Sequence, residues 1–97
     1  MPKGYWIANV DVHDAAVYDK YRAANAKPFA DYGAKFLVRG ATADVREGTS
    51  RPRIVVVEFP SLADAIACYE SAGYQAAKDI RASVSDGTLV IIEGYAP

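Results

Sequence analysis

The sequence is poor in the residues that build metal, redox and nucleophilic sites. It has one cysteine, Cys68, and one histidine, His13. A lone cysteine excludes an internal disulfide and the thiolate set of a structural zinc site. An unpaired thiol suits a reducing compartment, so the cytoplasm is the expected location. Cys68 lies in an apolar helical pattern and reads as a small hydrophobe rather than a reactive thiol. No further histidine, cysteine or cluster of carboxylates stands at ligand spacing with His13, so neither a metal nor another cofactor is expected. The seven glycines are scattered as turn residues and form no phosphate-binding loop. Charge of one sign is missing too: 11 Lys+Arg against 12 Asp+Glu leave a net charge of −1, without the basic excess of a nucleic-acid footprint. No apolar run approaches the roughly 18 residues that span a bilayer. The start, Met1-Pro2-Lys3-Gly4, carries no signal-peptide apolar region. The expectation is a protein with neither nucleic-acid nor membrane partners.

What the chain has is apolar surface. Of its 97 residues 52% are hydrophobic and seven are tyrosine, too much for disorder. The length suits one domain over residues 1–97. The period of the pattern changes along it. Tyr5 to Val12 reads as a strand. Asp14 offers an N-cap to a helix on which Tyr18, Tyr21, Asn25, Phe29 and Tyr32 recur at spacings of three and four. Pro28 should kink or restart that helix, and Gly33 should stop it. Phe36 to Gly40 reads as a second strand that Thr42 to Arg46 could continue. Arg53 to Phe59 is the clearest strand, closed by Pro60. Ser61 with Asp64 resembles a capping box before a helix that places Leu62, Ala65, Ile66 and Tyr69 on one face. Gly73 is expected to break it, with Tyr74 to Ser83 as a further helical segment. Asp86-Gly87 reads as a turn and Thr88 to Tyr95 as the last strand.

The order β-α-β-β-α-β is that of the α+β ferredoxin-like fold, a four-stranded antiparallel sheet with helices on one face. Such a sheet normally alternates apolar and polar. Here one phase is wholly apolar: Trp6, Ala8, Val10; Phe36, Val38; Val55, Val57, Phe59; Val90, Ile92. The other phase, Ile7, Asn9, Asp11; Leu37, Arg39; Ile54, Val56, Glu58; Leu89, Ile91, Glu93, is apolar in its middle and polar toward one end. Soluble monomers avoid leaving such a middle exposed. The simplest cover is a second copy, sheet to sheet about a two-fold axis, so a homodimer is expected.

Three constellations could carry chemistry. Arg39, Glu58 and Glu93 are expected to converge at the polar end of the second face, either as a small-ligand site or as an interface ion-pair network. Tyr21, Asn25 and Tyr69 put polar atoms on helix faces that pack against the sheet, where they pair with backbone or with a ligand. Tyr74, Lys78 and Arg81 form a stripe at spacings of four and three, either a solvated helix face or an anion-binding rim. His13, at a strand-to-helix junction, reads as a surface or capping residue.

Several stretches carry a resemblance: Lys3-Gly4-Tyr5-Trp6-Ile7-Ala8, Phe36-Leu37-Val38-Arg39-Gly40, Glu47-Gly48, the run Arg51 to Ser61, Ala67-Cys68-Tyr69-Glu70-Ser71 with Tyr74-Gln75, and Val90-Ile91-Ile92-Glu93-Gly94-Tyr95. Together they make the chain similar, over nearly its whole length, to a family of small bacterial proteins catalogued as domain of unknown function 1330. The resemblance implies a dimeric α+β barrel, two ferredoxin-like sheets packed face to face. Structural relatives of that family include cofactor-free monooxygenases, haem-degrading enzymes, muconolactone isomerases and stress-responsive barrel proteins, and fold does not choose among them. The positions that match the family's pattern are Arg39, Glu58, Tyr69, Tyr74 and Glu93, with Arg81 a looser match. His13 departs from it, and no histidine stands inside a helix to ligate a haem iron. The functional expectation is a cofactor-independent monooxygenase- or isomerase-like enzyme acting on a small apolar or aromatic metabolite. Arg39 would stabilise a developing anion, and Glu58 or a tyrosine would move a proton. The alternative is a non-catalytic ligand-binding or accessory dimer.

Overall fold

The computed structural model describes residues 2–41 and 43–96. Its elements are β1 (Gly4–Val12), α1 (Ala15–Ala24), α2 (Ala26–Asp31), β2 (Lys35–Arg39), β3 (Arg53–Phe59), α3 (Leu62–Glu70), α4 (Ala72–Ala82) and β4 (Ser85–Glu93). The strands form one four-stranded antiparallel sheet in the order β2-β3-β1-β4, with the helices on one face. This is the ferredoxin-like arrangement.

Each crossover helix is broken in two, and local chemistry sets both breaks. Asp14 caps α1 by accepting from the Val17 amide at 3.2 Å. Pro28 then sits in the first turn of α2, where its missing N–H has no intrahelical acceptor to lose. The restart therefore falls at Asn25, three residues before the proline. Gly33 follows α2 with φ of +74°, the left-handed conformation expected of a stop. Ser61 caps α3, accepting from the Asp64 amide at 3.1 Å and giving its hydroxyl proton to the Asp64 carboxylate at 3.0 Å. The second break comes at Ser71 rather than at Gly73. The Ser71 hydroxyl accepts from the Tyr74 amide at 3.2 Å and so starts α4 at Ala72, before Gly73 rather than after it.

The core lies between helices and sheet and is mostly aromatic. Trp6, Phe29, Phe59 and Tyr74 are buried together with Val57, Ala65, Cys68 and Ala77. Trp6 is the hub. Its ring meets those of Phe29, Phe59, Tyr69 and Tyr74 at centroid distances of 5.2, 5.2, 5.8 and 4.8 Å. Its indole N–H donates to the Ala65 carbonyl at 2.9 Å, which ties β1 to α3.

Two features of the sheet differ from the sequence pattern, and both bear on the site. In β4 the phase is reversed. Leu89 and Ile91, opposite Ala8 and Trp6, face the helices, while Val90 and Ile92 lie on the open face. Four consecutive aliphatics carry no alternation, so only pairing decides the phase. Asp86 and Gly87 are not a turn but belong to β4, paired with Asp11 and Val10. The His13 ring and the Asp86 carboxylate, 2.7 Å apart, hold that end. In β2 a bulge shifts the register between Phe36 and Val38. Phe36 opposes Val57, Val38 opposes Val56 and Arg39 opposes Val55, so Val38 turns to the open face and Arg39 to the helix side. The described part of the Thr42–Arg46 extension is not a strand, and Thr42 lies outside the described residues.

The open face is apolar across its centre: Ile7, Val90 and Ile92 are 40%, 47% and 52% exposed. Among the described residues no helix is long and apolar enough to cross a membrane.

Gly4 opens β1 directly beneath α3, where an added Cβ would collide with the Ser61 carbonyl oxygen and the Leu62 Cα. Both obstacles are backbone and cannot rotate away. Gly4→Ala is expected to cost about 2–3 kcal/mol in urea unfolding, whereas Gly73→Ala, whose added Cβ would meet only the Pro28 ring at ordinary contact distances of 3.7–3.9 Å, should cost far less.

Candidate functional site

The helices do not fill the whole layer above the sheet. Beyond the Trp6 cluster they leave a cavity of about 340 Å³, within the range of small-ligand sites. Its floor is the helix-facing phase of the strands: Ala8, Val10, Val55, Val57 and Leu89. Its walls are aromatic: Trp6, Tyr18, Tyr21, Phe29, Phe36 and Tyr69. Five cations complete the lining, Arg22, Arg39, Arg53, Lys78 and Arg81. Among the described lining residues there is no aspartate, glutamate or histidine.

All of those cations except Arg22 rest on rings rather than on carboxylates. The Arg39 guanidinium lies 4.1 Å from the Phe36 ring centre, Arg53 lies 5.4 Å from Tyr18, and Arg81 lies 5.5 Å from Tyr21. The Lys78 ammonium lies 5.8 Å from the Tyr69 ring centre. A ring face attracts a cation but does not neutralise it. Among the described residues only Arg22 of these has an ion-pair partner, Asp19 at 3.3 Å, an exposed contact of little strength. The Nε–H groups of Arg22 and Arg53 are buried with no acceptor among the described residues. The cavity therefore holds a strongly positive field beside apolar ring surface.

Behind the α4 wall, Tyr74 is fully buried. Its hydroxyl lies 2.9 Å from that of Tyr21 and accepts a long hydrogen bond from Arg81 at 3.4 Å. Burial, and then the neighbouring Tyr21 hydroxyl, push the Tyr74 hydroxyl well above the ordinary tyrosine range, with Arg81 pulling partly the other way. Asn25 is buried at the α1–α2 junction, makes no capping hydrogen bond and also lines the cavity.

The structure redistributes the three constellations. Arg39, Glu58 and Glu93 do not converge. The bulge in β2 sends Arg39 into the cavity, Glu58 stays on the opposite face of the sheet, and the reversed phase of β4 puts Glu93 opposite Gly4 at an exposed strand end. On the open face the Glu58 carboxylate accepts from the Tyr5 hydroxyl at 3.1 Å, and that hydrogen bond raises the Tyr5 pKa. Tyr21, Asn25 and Tyr69 meet in the cavity with Lys78 and Arg81, and Tyr74 stands immediately behind them. Arg22 and Arg53 also line the cavity, and neither is among the candidates taken from the sequence pattern. Arg53 stands on the helix-facing phase of β3, in step with Val55 and Val57, and that phase was a signal available in the sequence. Arg22 follows Tyr18 by one helical turn.

The fold is that of a small ferredoxin-like α+β protein. The chain belongs to the domain of unknown function family (DUF1330), whose model matches residues 3–95. No curated protein matches the chain. Among solved structures, a protein of unknown function from Rhodopseudomonas palustris, RPA0582, superposes with a TM-score of 0.77 at 17% identity, over 99% of this chain and 85% of that one. SnoaB from Streptomyces nogalater, described as a cofactor-independent oxygenase, gives 0.64 at 13% identity over 100% and 97%. A dimeric ferredoxin-like protein of unknown function from Thermobifida fusca gives 0.62 at 18% identity over 95% and 91%. At these identities the likeness establishes the fold.

Cys68, fully buried behind the aromatic cluster, has its thiol pushed up to about 12 from 9.0, chiefly by burial and then by Asp31. The unfolded chain ionises this thiol first, so the unfolded state binds fewer protons above pH 9 and stability falls as pH rises. Tyr74 contributes with the same sign. Urea unfolding from pH 8 to 11 should show a decline approaching about 1 kcal/mol per pH unit above pH 9. Cys68→Ala should start less stable and decline less steeply.

Proposed function

We propose that the chain binds a small planar aromatic anion in the helix–sheet cavity and acts on it without a cofactor, as a monooxygenase- or isomerase-like enzyme. The observation that carries this reading is the lining: six aromatic rings and five cations with no acidic residue among those described. Rings suit a flat apolar body, and uncompensated cations suit an anionic edge. The same field lowers the pKa of a bound phenol or enol, so the substrate anion forms by losing its proton to solvent water, without a protein carboxylate to take it. Such an anion is the species that reacts directly with dioxygen or takes its proton back at a different carbon. The fold of SnoaB, described as a cofactor-independent oxygenase, supports the same direction. In this reading Arg39, Arg53 and Arg81 stabilise charge, Tyr69 and Lys78 close the α3–α4 side, and Glu58 and Glu93 take no part in the cavity.

One observation favours a second reading, a non-catalytic binding protein. Among its described lining residues the cavity offers neither carboxylate nor imidazole as a general base. Oxygen uptake with anthrone, whose enol is a planar aromatic acid, separates the two. Uptake above the buffer rate belongs to the enzyme, and binding without conversion belongs to the carrier or sensor.

The dimer belongs to the same proposal. The open face, with Val56 at its centre between Ile7 and Val38, pairs with the open face of a second copy. The apolar exposure of that face supports this, as do relatives described as dimeric. Glu58 and Tyr5 then lie at the margin of the interface.

Two outcomes are expected. In calorimetric titration, 1-naphthoate should bind at least about 10-fold more tightly than neutral 1-naphthamide, with a preference that shrinks in added salt and in Arg53→Ala. Equal affinities would contradict an anion site. In sedimentation, the protein should be a dimer at micromolar concentration and Val56→Asp a folded monomer. An unchanged dimer in that variant would remove the open face from the interface.

A further inference from the structure

The hydroxyls behind α4 have a direction, and it ends in the cavity. An arginine N–H only donates, so the Tyr74 oxygen accepts from Arg81. The Tyr74 proton then needs an acceptor of its own. Tyr74 is fully buried and does not line the cavity, so neither ligand nor bulk water reaches it. Within hydrogen-bond distance among the described residues the Tyr21 oxygen, at 2.9 Å, is its acceptor. A buried hydroxyl proton left without an acceptor is costly, so Tyr74 donates and Tyr21 accepts. That leaves the Tyr21 hydroxyl proton free on a side chain that does line the cavity.

We propose that Tyr21 is the hydrogen-bond donor that receives the ligand's oxygen, and that Tyr74 and Arg81 are positioning residues that fix and polarise it through the chain Arg81 to Tyr74 to Tyr21. The ligand class narrows accordingly, to an aromatic ring bearing a carbonyl, phenolate or enolate oxygen on the Tyr21 side of the cavity. Hydrogen bonds in series strengthen one another, and a cation at the far end makes the last donor stronger than a lone tyrosine. The inference rests on the aromatic-ligand reading of the cavity but uses a different observation, the polarity of the hydroxyl chain.

The test uses a neutral probe so that cavity charge does not mask the hydrogen bond: 1-tetralone labelled with ¹³C at its carbonyl, with tetralin as the hydrocarbon control. A hydrogen bond lowers the carbonyl stretching frequency, which infrared difference spectra of the bound ketone read directly. The wild-type protein should give the largest downshift, Tyr74→Phe a smaller one with Tyr21 still present, and Tyr21→Phe the smallest. Tetralone affinity should fall about 3- to 10-fold in Tyr21→Phe, with tetralin affinity changed less than about 2-fold. Arg81→Gln provides an independent variant that leaves both tyrosines in place and should also reduce the shift. A downshift in Tyr21→Phe equal to wild type overturns the donor, and one in both Tyr74→Phe and Arg81→Gln equal to wild type overturns the relay. Binding of 1-naphthoate with exclusion of tetralone also counts against the donor. If neither probe binds, the ligand reading of the cavity fails and this proposal fails with it.

Discussion

The packing around Trp6 decides where everything else goes. One indole holds β1 to α3 through the Ala65 carbonyl and gathers Phe29, Phe59, Tyr69 and Tyr74 around its ring. A chain of 97 residues has a limited supply of large side chains. Collecting them at one end of the helix–sheet layer leaves the other end underfilled. The space that remains is the cavity, and Trp6 forms part of its wall. Core and candidate site are thus two sides of one aromatic cluster.

Tyrosine and arginine make that arrangement tolerable. Long side chains with polar ends can line a space that no aliphatic fills, lying along apolar surface with their heads in the opening. Arg39 does this on Phe36, Arg53 on Tyr18 and Arg81 on Tyr21. The cost is positive charge facing positive charge without a counter-ion, together with two buried guanidinium N–H groups that lack acceptors among the described residues. That cost agrees with the proposed reading of the cavity as a ligand-binding site. The opposite face of the sheet poses the complementary problem, apolar surface without cover, for which the proposed cover is a second copy of the chain.

Much of the fold is legible in the residues. Asp14, Pro28, Gly33 and Ser61 punctuate the chain where their capping and backbone chemistry requires, and β1 and β3 show their helix-facing phase in the sequence. The failures have local causes. Leu89-Val90-Ile91-Ile92 is apolar at every position, so alternation says nothing and the pairing of β4 with β1 sets its phase. The bulge after Phe36 follows from the register against β3, and nothing in Phe36-Leu37-Val38-Arg39 announces it. Those two slips separate Arg39 from Glu58 and Glu93. Conversely, the pairing of Tyr21 with Asn25 follows from helical spacing. Its meeting with Lys78 and Arg81 needs α1 and α4 to lie side by side, which is a tertiary fact.

The most direct measurement of the central claim is a crystal structure of the protein grown with 1-naphthoate. The account predicts the ring system beneath the helices against Trp6 and Phe36, with its carboxylate among the arginines and the Tyr21–Tyr74 contact intact. A ligand found on the open sheet face, or a cavity closed by collapse of the arginines onto neighbouring carboxylates, would contradict it.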